Sequence, residues 1–518
     1  MVTAHERTAI GTFDQDRRRL HQLGYAQELR RRLQGFSNFA VSFSIISVLT
    51  AFTLYGYAMT TGGPIDITIG YAVVCGFTML VGLGMAEVCS AFPTSGGMYY
   101  WSSKLAPGKS GPAWSWFTGW FNLLGQVAVT AGIDFGSAIF GTGLLSIATG
   151  ILPTRGTVLA VLAIILVVHG LLNTFGTRLV GFLSDVSAWW HLAGVALIVV
   201  LLWAIPSHHN SPTFVFTHLA NSTGFTPTWY VFLLGLLFAQ YNMTGYDASA
   251  HVIEETGNAQ YAGPRGIIFS IGISAVAGLL LFISTTFVIV HYSKEAVANI
   301  PPLAVFMGAI GSGAGQLLFI VVWVATFFCG MASVLANSRM LYAFSRDGAV
   351  PASRFWHHIN PTTRVPTRSV WFAVIGAFIL CIPYYWSPTA FSAVTSIATI
   401  GLYIAYVIPV LLRRLAGPRF VPGPWNLGRW SPIVGWIAVV WVAFIAVMFM
   451  LPESSPVTWS TFNYAPIAVG VVLAFSGLWW LFSARRWFKG PHAQGTEEEL
   501  DRIEAEFRHI EQELAEVD

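Results

Sequence analysis

Charged side chains are scarce in this sequence. Of its 518 residues only 10% are Asp, Glu, Lys or Arg, whereas 55% are hydrophobic. A soluble domain of ordinary composition has about a quarter of its residues charged. The composition therefore excludes an ordinary soluble domain and predicts a protein whose main partner is the lipid bilayer.

Cysteine is also rare, and no residues show the spacing of a catalytic or metal site. The four cysteines are scattered through or beside apolar stretches without His clusters nearby: Cys75, Cys89, Cys329 and Cys381. We interpret them as small core residues, so no disulfide framework, metal or cofactor is expected. A phosphate-binding P-loop is absent too, so an ATP-driven pump would need a partner chain.

About twelve apolar segments of spanning length, roughly 20 residues each, follow one another along the chain. The predicted class is an all-α integral membrane protein. An N-terminal arm, five spans, a connector, five more spans, a loop, two further spans and a polar C-terminal segment are expected at 1–35, 36–206, 207–227, 228–414, 415–431, 432–486 and 487–518.

Basic residues fall mainly on one predicted side of the membrane. With an even number of spans both termini share a side, and all of the 27 Lys and Arg except Arg155 and Lys294 are predicted there. By the positive-inside rule this side is the cytoplasm. We therefore predict a multi-pass cell-membrane protein with both termini cytoplasmic, and we do not expect nucleic acid as a partner of its basic arm.

Two stretches inside the apolar sequence are unusually polar. Residues 44–62 are rich in Ser, Thr, Gly and Tyr, and residues 240–254 add Asp and Asn. Each stretch opens one half of the chain, and the long connectors 92–112 and 291–315 fall on opposite predicted sides, as an inverted repeat requires. This pattern indicates two broken helices that hold a small polar solute near the middle of the bilayer.

The segment 495–518 differs from the rest because acidic residues separate apolar ones at helical spacing. Thr496 is the expected N-cap, and the apolar positions are Leu500, Ile503, Phe507, Ile510 and Leu514. We predict an amphipathic cytoplasmic helix that docks on the protein's own cytoplasmic face or on another subunit. A regulatory role is the alternative.

Several motifs resemble those of the amino acid, polyamine and organocation permeases. The run NSRMLYAFSRDGAVP at 337–351, with NP at 360–361 and VPTR at 365–368, is similar to the signature after the eighth span. GGP at 62–64, AE at 86–87, PTSGGMYYW at 93–101 and GYDASAH at 245–251 resemble the amino acid and choline transporter branch, which includes permeases for 4-aminobutyrate. The resemblance covers about Arg31 to Arg486.

This resemblance implies a LeuT-type fold, a five-plus-five inverted repeat with discontinuous helices 1 and 6. The first interruption would lie at Ile46, Ser47, Val48, Leu49, Thr50 and Ala51, where relatives often carry Gly-x-Gly. Amides freed there, at the positive end of a half-helix, would bind a substrate carboxylate.

The sixth helix would break around Met243, Thr244 and Gly245, followed by Tyr246 and Asp247. Carbonyl groups at the end of its first half suit a substrate ammonium group. Tyr241 matches the position of an aromatic gate in some relatives, and the alternative is a packed core aromatic.

Three ionisable residues lie inside predicted spans, where an unpaired charge costs on the order of 3 kcal/mol or more. Asp134 either attracts the substrate amine or is a carboxylate hydrogen-bonded between helices. Asp247 either carries a proton or caps the following half-helix. His191, where some family members have a lysine in place of a sodium ion, either couples a proton to transport or is a neutral core histidine.

Charged residues at the inner end of the sixth and eighth spans are candidate gating groups. Glu254 and Glu255 are expected to pair with Arg339, Arg346 or Arg265 and to separate as the inner mouth opens. The alternative is a solvated cytoplasmic face.

The sequence thus predicts a secondary transporter that moves a small amine-containing solute by alternating access. A proton rather than sodium is the expected coupling ion, because no dense cluster of carboxylates and hydroxyls occurs. The branch resemblance favours an amino acid such as 4-aminobutyrate, with choline, ethanolamine or a polyamine as the alternative. A channel, membrane enzyme or nutrient sensor on the same scaffold is the other class, and the lack of clustered catalytic residues disfavours an enzyme.

Overall fold

The computed structural model describes residues 4–387, 390–459 and 461–517, and the side chains of 13–387, 393–459, 461–507 and 509. Most of this chain is helical, as expected where lipid offers the backbone no hydrogen-bond partner. The side chains of Ile510 and Leu514, two of the predicted apolar positions, lie outside the described part.

Twelve spans cross the predicted bilayer region of the described chain. Eleven are helical stretches long and apolar enough to cross a membrane, and the sixth is assembled from short pieces. In chain order, spans 1 to 12 are Gly35–Thr60, Asp66–Ala91, Gly111–Thr149, Arg155–Thr174, Thr177–Ala204, the pieces of span 6 (Thr228–Gly235, Leu237–Asn242, Ala248–His251 and Ile253–Glu255), Ala259–Phe287, Ser312–Arg346, Thr367–Tyr385, Ala390–Ala416, Ser431–Met448 and Ala465–Trp487.

Shorter elements join the spans. Besides the terminal helices, the connectors contain helices at Gly97–Leu105, Pro212–Thr217, Tyr292–Glu295, Pro301–Ile310 and Ser353–Trp356. Strand β1, Thr61–Gly62, pairs antiparallel with β2, Ala220–Asn221, and ties the end of span 1 to the connector between spans 5 and 6. Both long connectors of the predicted repeat thus carry helices of their own.

Span 3 is the central helix of the molecule. It is 39 residues long and packs against spans 8 and 10. Small residues permit these contacts: a Cβ at Gly125 would lie 2.8 Å from Leu402 of span 10. Small residues are the usual means by which membrane helices approach closely, because lipid supplies no hydrophobic force between them.

Corresponding spans of the two halves pack as pairs, 1 with 6, 2 with 7, 3 with 8 and 4 with 9. The fold is the predicted all-α LeuT-type repeat, and both predicted interruptions, in spans 1 and 6, are present. We call the face that carries residues 13–33 and 488–507 the terminal face. The face that carries residues 61–65, 205–227, 288–300 and 449–464 is called the opposite face.

Two helices outside the membrane lie on the terminal face. Ala4–Gln22 precedes span 1, and Glu497–Val517 ends the described chain. Thr496 and Glu499 form a reciprocal capping pair at the start of the C-terminal helix, with Thr496 N donating to Glu499 Oε2 at 2.7 Å. Leu500 is buried on the predicted apolar side of this helix.

Candidate functional site

Span 1 is interrupted directly after Ile46. The helix Gly35–Ile46 ends at Ser47, whose left-handed φ of 34° turns the chain before a short 3-10 segment, Thr50–Leu54. Residues 46–51 are all buried. Within the described chain the amides of Val48 and Leu49 have no hydrogen-bond acceptor, so the first break presents two free backbone donors.

His191 of span 5 contacts this break directly. Its Nδ1 lies 2.8 Å from the Ser187 carbonyl oxygen, which can only accept, so Nδ1 carries a hydrogen. Its Nε2 lies 2.6 Å from Ser47 Oγ, which in turn accepts hydrogen bonds from Thr50 Oγ1 and Thr50 N. The donors and acceptors are all matched when the ring is neutral and the Ser47 hydroxyl donates to Nε2.

Span 6 is interrupted after Asn242, and this residue joins the two breaks. Asn242 Nδ2 donates to the carbonyl oxygens of Ile46 at 2.7 Å and Ser47 at 3.2 Å. Its Oδ1 accepts from Tyr71 of span 2 at 3.0 Å. The side chain therefore satisfies carbonyl groups that the end of a half-helix leaves without partners.

Met243, Thr244 and Gly245 form the second break, as predicted. The Met243 carbonyl accepts from Tyr403 of span 10 at 2.5 Å, and Thr244 Oγ1 donates to the Tyr241 carbonyl at 2.7 Å. Gly245 has φ of +90°, and a Cβ there would lie 2.2 Å from Ile45. A larger residue at 245 would thus strain the backbone and collide with span 1, apart from any effect on a ligand.

Asp247 lies at the centre of a buried polar network just beyond the second break. Its Oδ1 accepts from Tyr406 and its Oδ2 from Gln126, both at 2.7 Å. Its side chain does not cap the following helix, so the capping alternative for this residue is wrong.

His251 lies beside Asp247 in this network. His251 Nε2 lies 3.3 Å from Asp247 Oδ2, while His251 Nδ1 lies 3.1 Å from the Ser95 carbonyl oxygen. Because that carbonyl only accepts, Nδ1 carries a hydrogen, and in a neutral ring the Nε2 lone pair would face the carboxylate.

Asp134 points away from the breaks. On the same helix, Gly132 faces Tyr241 of span 6 and Gly136 faces Thr53 of span 1. Both contacts are so close that a Cβ at either glycine would collide with the facing side chain. Residues two apart on a helix point about 200° apart, and the carboxylate instead lies 3.2 Å from His169 of span 4. The hypothesis of direct contact between Asp134 and a substrate amine is not supported by this placement.

The two aromatic residues of the predicted site lie on either side of the second break. The Tyr241 hydroxyl has no hydrogen-bond partner among the described residues. It lies so close to span 3 that a Cβ at Gly132 would be 2.7 Å from its oxygen. Tyr246 packs on Tyr406 with 4.9 Å between ring centroids. Tyr241 thus separates span 3 from the break, in the position that an aromatic gate or a packing residue would take.

The predicted gating residues form buried ion pairs on the terminal face. Arg339 Nε lies 2.6 Å from Glu255 Oε1, and both side chains are fully buried. Arg346 pairs with Glu254 at 3.0 Å, and Glu254 also accepts from the Ser95 amide. Arg265, by contrast, lies over the Tyr261 ring. The solvated-face alternative for the paired residues is therefore wrong.

The N-terminal segment covers these ion pairs. The amides of Arg32 and Leu33 both donate to the Glu255 carbonyl, and Leu33 forms a bridge with Thr256. Asp16 accepts from the amides of Asn258 and Ala259 at the start of span 7. Burial raises the pKa of Asp16 above its ordinary value, although Arg31 and these amides oppose the shift.

The C-terminal helix holds the N-terminal segment in place. Glu504 accepts from His21 at 2.7 Å and from the Gln27 amide at 2.8 Å, and it also pairs with Arg17. Burial raises the pKa of Glu504, but these donors outweigh burial and hold the pKa below its ordinary value.

Sequence reasoning missed several buried polar residues in or near the site: Asp66, Gln126, His169, Asn242 and His251. Three of them had a usable signal, because an ionisable residue inside an apolar span is a functional candidate by default. His169 stands inside span 4, Asp66 at the start of span 2, and His251 in the last part of span 6. Gln126 and Asn242 gave no such signal, since their importance depends on which spans they meet.

Known proteins resemble this chain over most of its length. The sequence model described as amino acid permease matches residues 33–473. Amino-acid permease BAT1 of Arabidopsis thaliana is 45% identical over 507 residues, and amino-acid permease BAT1 homolog of Oryza sativa subsp. japonica is 46% identical over 509 residues; each alignment covers 94% of this chain and 98% of the relative. An uncharacterized amino-acid permease of Schizosaccharomyces pombe is 33% identical over 512 residues, covering 97% of this chain and 94% of the relative.

These matches agree with the motifs and with the twelve-span fold. Relatives named permeases indicate a multi-pass membrane transporter of a small molecule rather than an enzyme. The chain belongs to the amino acid permease family, within the amino acid, polyamine and organocation superfamily.

Proposed function

We propose that this protein is a secondary active transporter that carries a small amino acid across the membrane by alternating access, coupled to a proton. The observation that carries the proposal is the pair of opposed helix breaks in spans 1 and 6, joined by Asn242. Broken helices that meet in the middle of the spans supply backbone groups for a polar solute without a cost in unsatisfied groups elsewhere.

The chemistry of the first break favours a solute with a carboxylate. The free amides of Val48 and Leu49 provide two donors at one place. Tyr241 and the end of the first half of span 6 lie on the other side, where an ammonium group would be favoured. An amino acid such as 4-aminobutyrate carries both groups, whereas choline, ethanolamine or a polyamine lacks the carboxylate.

His191 is the proposed coupling residue because its protonation changes the first break. A proton on Nε2 reverses the bond to Ser47: Nε2 becomes the donor, and the Ser47 hydroxyl hydrogen must turn into the break. The ring is surrounded by Ser187, Ser47 and the edge of Phe43. Within the described chain it has no carboxylate partner, so a substrate carboxylate at the break would be its counter-ion. Binding of the proton would then raise the affinity for the solute, and binding of the solute would raise the affinity for the proton. The size of this mutual effect is the coupling free energy between the two ligands.

The terminal face is proposed to be cytoplasmic. Among the 27 Lys and Arg, only Arg155, at the start of span 4, and Lys294 lie on the side of the opposite face. Because positively charged loops remain in the cytoplasm, the pairs of Glu254 and Glu255 would close the cytoplasmic side of the proposed carrier.

Counterflow in sealed proteoliposomes tests the proposed transport. Vesicles loaded with one unlabelled candidate solute should accumulate the labelled solute transiently without ATP, and the rate should saturate. A panel of 4-aminobutyrate, other amino acids, choline, ethanolamine and a polyamine identifies the class. A linear flux that no competitor reduces would instead indicate a channel.

The coupling proposal is tested by His191→Ala. The variant should lose most of its accumulation driven by an inward proton gradient while keeping much of its counterflow, because exchange needs no net proton movement. Asp247→Asn is the rival variant, since Asp247 is the other candidate for carrying the proton. Unchanged gradient-driven accumulation and pH dependence in His191→Ala would reject His191, and loss in Asp247→Asn alone would assign the proton to the second break.

A further inference from the structure

Asp66 at the start of span 2 is a buried carboxyl group without a partner. Its side chain is 1% exposed, and neither oxygen has a hydrogen-bond donor within the described chain. Asp66 also forms no ion pair with another described residue. The group does not belong to the breaks or to the ion pairs of the terminal face.

Glycines from three segments enclose this carboxyl group. A Cβ at Gly62, after span 1, would lie 1.4 Å from Oδ2, and a Cβ at Gly235 of span 6 would lie 1.8 Å from it. A Cβ at Gly70 would lie 2.9 Å from Oδ1. The space is therefore available only because these positions lack side chains, and Asp66 fills it at the joint between the outer halves of spans 1 and 6.

The surroundings of Asp66 contain an acceptor but no donor. The carbonyl oxygen of Thr61 and Oδ2 of Asp66 both lie within 2.6 Å of the same point, the Cβ position of Gly235. An ionised carboxylate buried without a donor or cation is strongly disfavoured, whereas a protonated carboxyl group is neutral and has the Thr61 carbonyl nearby as an acceptor.

No basic side chain from the neighbouring elements neutralises the group. The titratable residues on those elements include Tyr57, Tyr230, Tyr292, His218, Glu453, Glu295 and Lys294. Lys294 is exposed and forms no ion pair with Asp66 in the described chain. Tyr57 donates to the Leu234 carbonyl and Tyr292 to the Met59 carbonyl. The His218 ring stacks on Phe214.

A cavity on the opposite face borders this joint. It has a volume of about 270 Å³ and is lined among others by Tyr57, Thr61 and Glu453. Thr61 thus borders the cavity and also places its carbonyl beside Asp66. A proton released when the joint opens would reach water in this cavity.

We propose that Asp66 is a proton-binding site of this transporter, protonated while the opposite face is closed and ionised when the outer halves of spans 1 and 6 move apart. The step is a simple acid dissociation: the carboxyl O–H bond breaks, and the proton passes to water in the cavity. This inference rests neither on the identity of the solute nor on His191.

Infrared spectroscopy of the purified protein tests the proposal directly. Wild-type protein at neutral pH should show the C=O stretching band of a protonated carboxylic acid, and Asp66→Asn, which imitates the neutral group, should fold and lose one component of that band. Asp185→Asn is the control, because Asp185 accepts from Ser37 and is more exposed. An unchanged band in Asp66→Asn would overturn the proposal.

Two further measurements keep the proposal testable. If Asp66→Asn does not fold, wild type and Asp66→Glu are both produced with ¹³C-labelled aspartate. The label should shift one component fewer of the C=O band in Asp66→Glu than in wild type, because position 66 no longer carries aspartate. The same number of shifted components in both proteins would overturn the proposal. Thermal midpoints in sodium chloride and in N-methyl-D-glucamine chloride separate a proton from a metal cation. Equal midpoints support a proton, whereas sodium-specific stabilisation that Asp66→Asn abolishes would assign the site to sodium instead.

Discussion

The two faces of the membrane domain are closed in different ways. On the terminal face three buried glutamates have cationic partners: Glu255 has Arg339, Glu254 has Arg346, and Glu87 has Arg414. On the opposite face the described residues form no ion pair, and Asp66 and Glu453 lack cationic partners. One face is thus held by charge pairs and the other by neutral packing that includes carboxyl groups.

This difference determines what opens each face. Separating a buried ion pair exposes two charges that must both be hydrated, so the terminal face opens only when other interactions compensate for the lost pairs. A face with unpaired carboxyl groups is instead stabilised by protons, which the solution supplies at a concentration set by pH. In a proton-coupled carrier, such an asymmetry would make the opposite face the pH-sensitive one.

Removing one member of the most buried pair should have the largest effect. Arg339→Ala leaves the carboxylate of Glu255 buried with only Thr177 as a donor, so we expect a loss of about 3–5 kcal/mol of unfolding free energy. The thermal midpoint in detergent measures it. The double variant Arg339→Ala/Glu255→Ala should recover part of the loss, and failure to recover any would mean that the pair is not the unit that closes the face.

The terminal segments should contribute less. Glu504→Gln removes a charge that His21, Arg17 and the Gln27 amide share, and hydrogen bonds to charged groups contribute about 1.5–3 kcal/mol. Because the folded pKa of Glu504 is lowered, this stabilisation is present above the ordinary glutamate pKa and is lost as pH falls through the folded pKa. Limited proteolysis near residues 490–496 should therefore be faster in the variant at neutral pH.

The same glutamate has a matched control on its own helix. Glu506→Gln changes an exposed carboxylate of the same helix and should leave the proteolysis rate unchanged. Equal rates in wild type and Glu504→Gln would show that the C-terminal helix does not hold the N-terminal segment.

The sequence predicted the breaks because their signal is local. Polar residues and Gly245 interrupt long apolar runs, and a helix in lipid is not interrupted without a polar environment. The face on which Asp134 points was not predictable in this way. Gly132 and Gly136 show that one side of span 3 is approached closely, but only the tertiary structure shows that spans 1 and 6 approach it there.

Long-range pairings were likewise hidden. Asn242 satisfies carbonyl groups nearly 200 residues earlier in the chain, and Glu504 meets Arg17 from the other end of the protein. By contrast, the glutamates at 254 and 255 were expected to pair because several arginines were predicted on the same side. Their specific partners followed from geometry that composition and spacing do not contain.

The smallest expected effect concerns Glu453, in the loop between spans 11 and 12. Burial raises the pKa of Glu453 to about 7. A raised folded pKa means that the folded protein binds this proton more tightly than the unfolded chain, so stability is greatest below the ordinary glutamate pKa and declines as pH rises to about 7. Glu453→Gln cannot ionise and should lack this decline.

The expected difference between Glu453→Gln and wild type is small, because the side chain is partly exposed and screened by solvent. We expect the thermal midpoint of the variant to exceed that of wild type by only ~1–2 °C above neutral pH, with equal midpoints in acid. A midpoint difference that does not change with pH would show that Glu453 acts through packing, and would leave Asp66 as the group that makes the opposite face respond to pH.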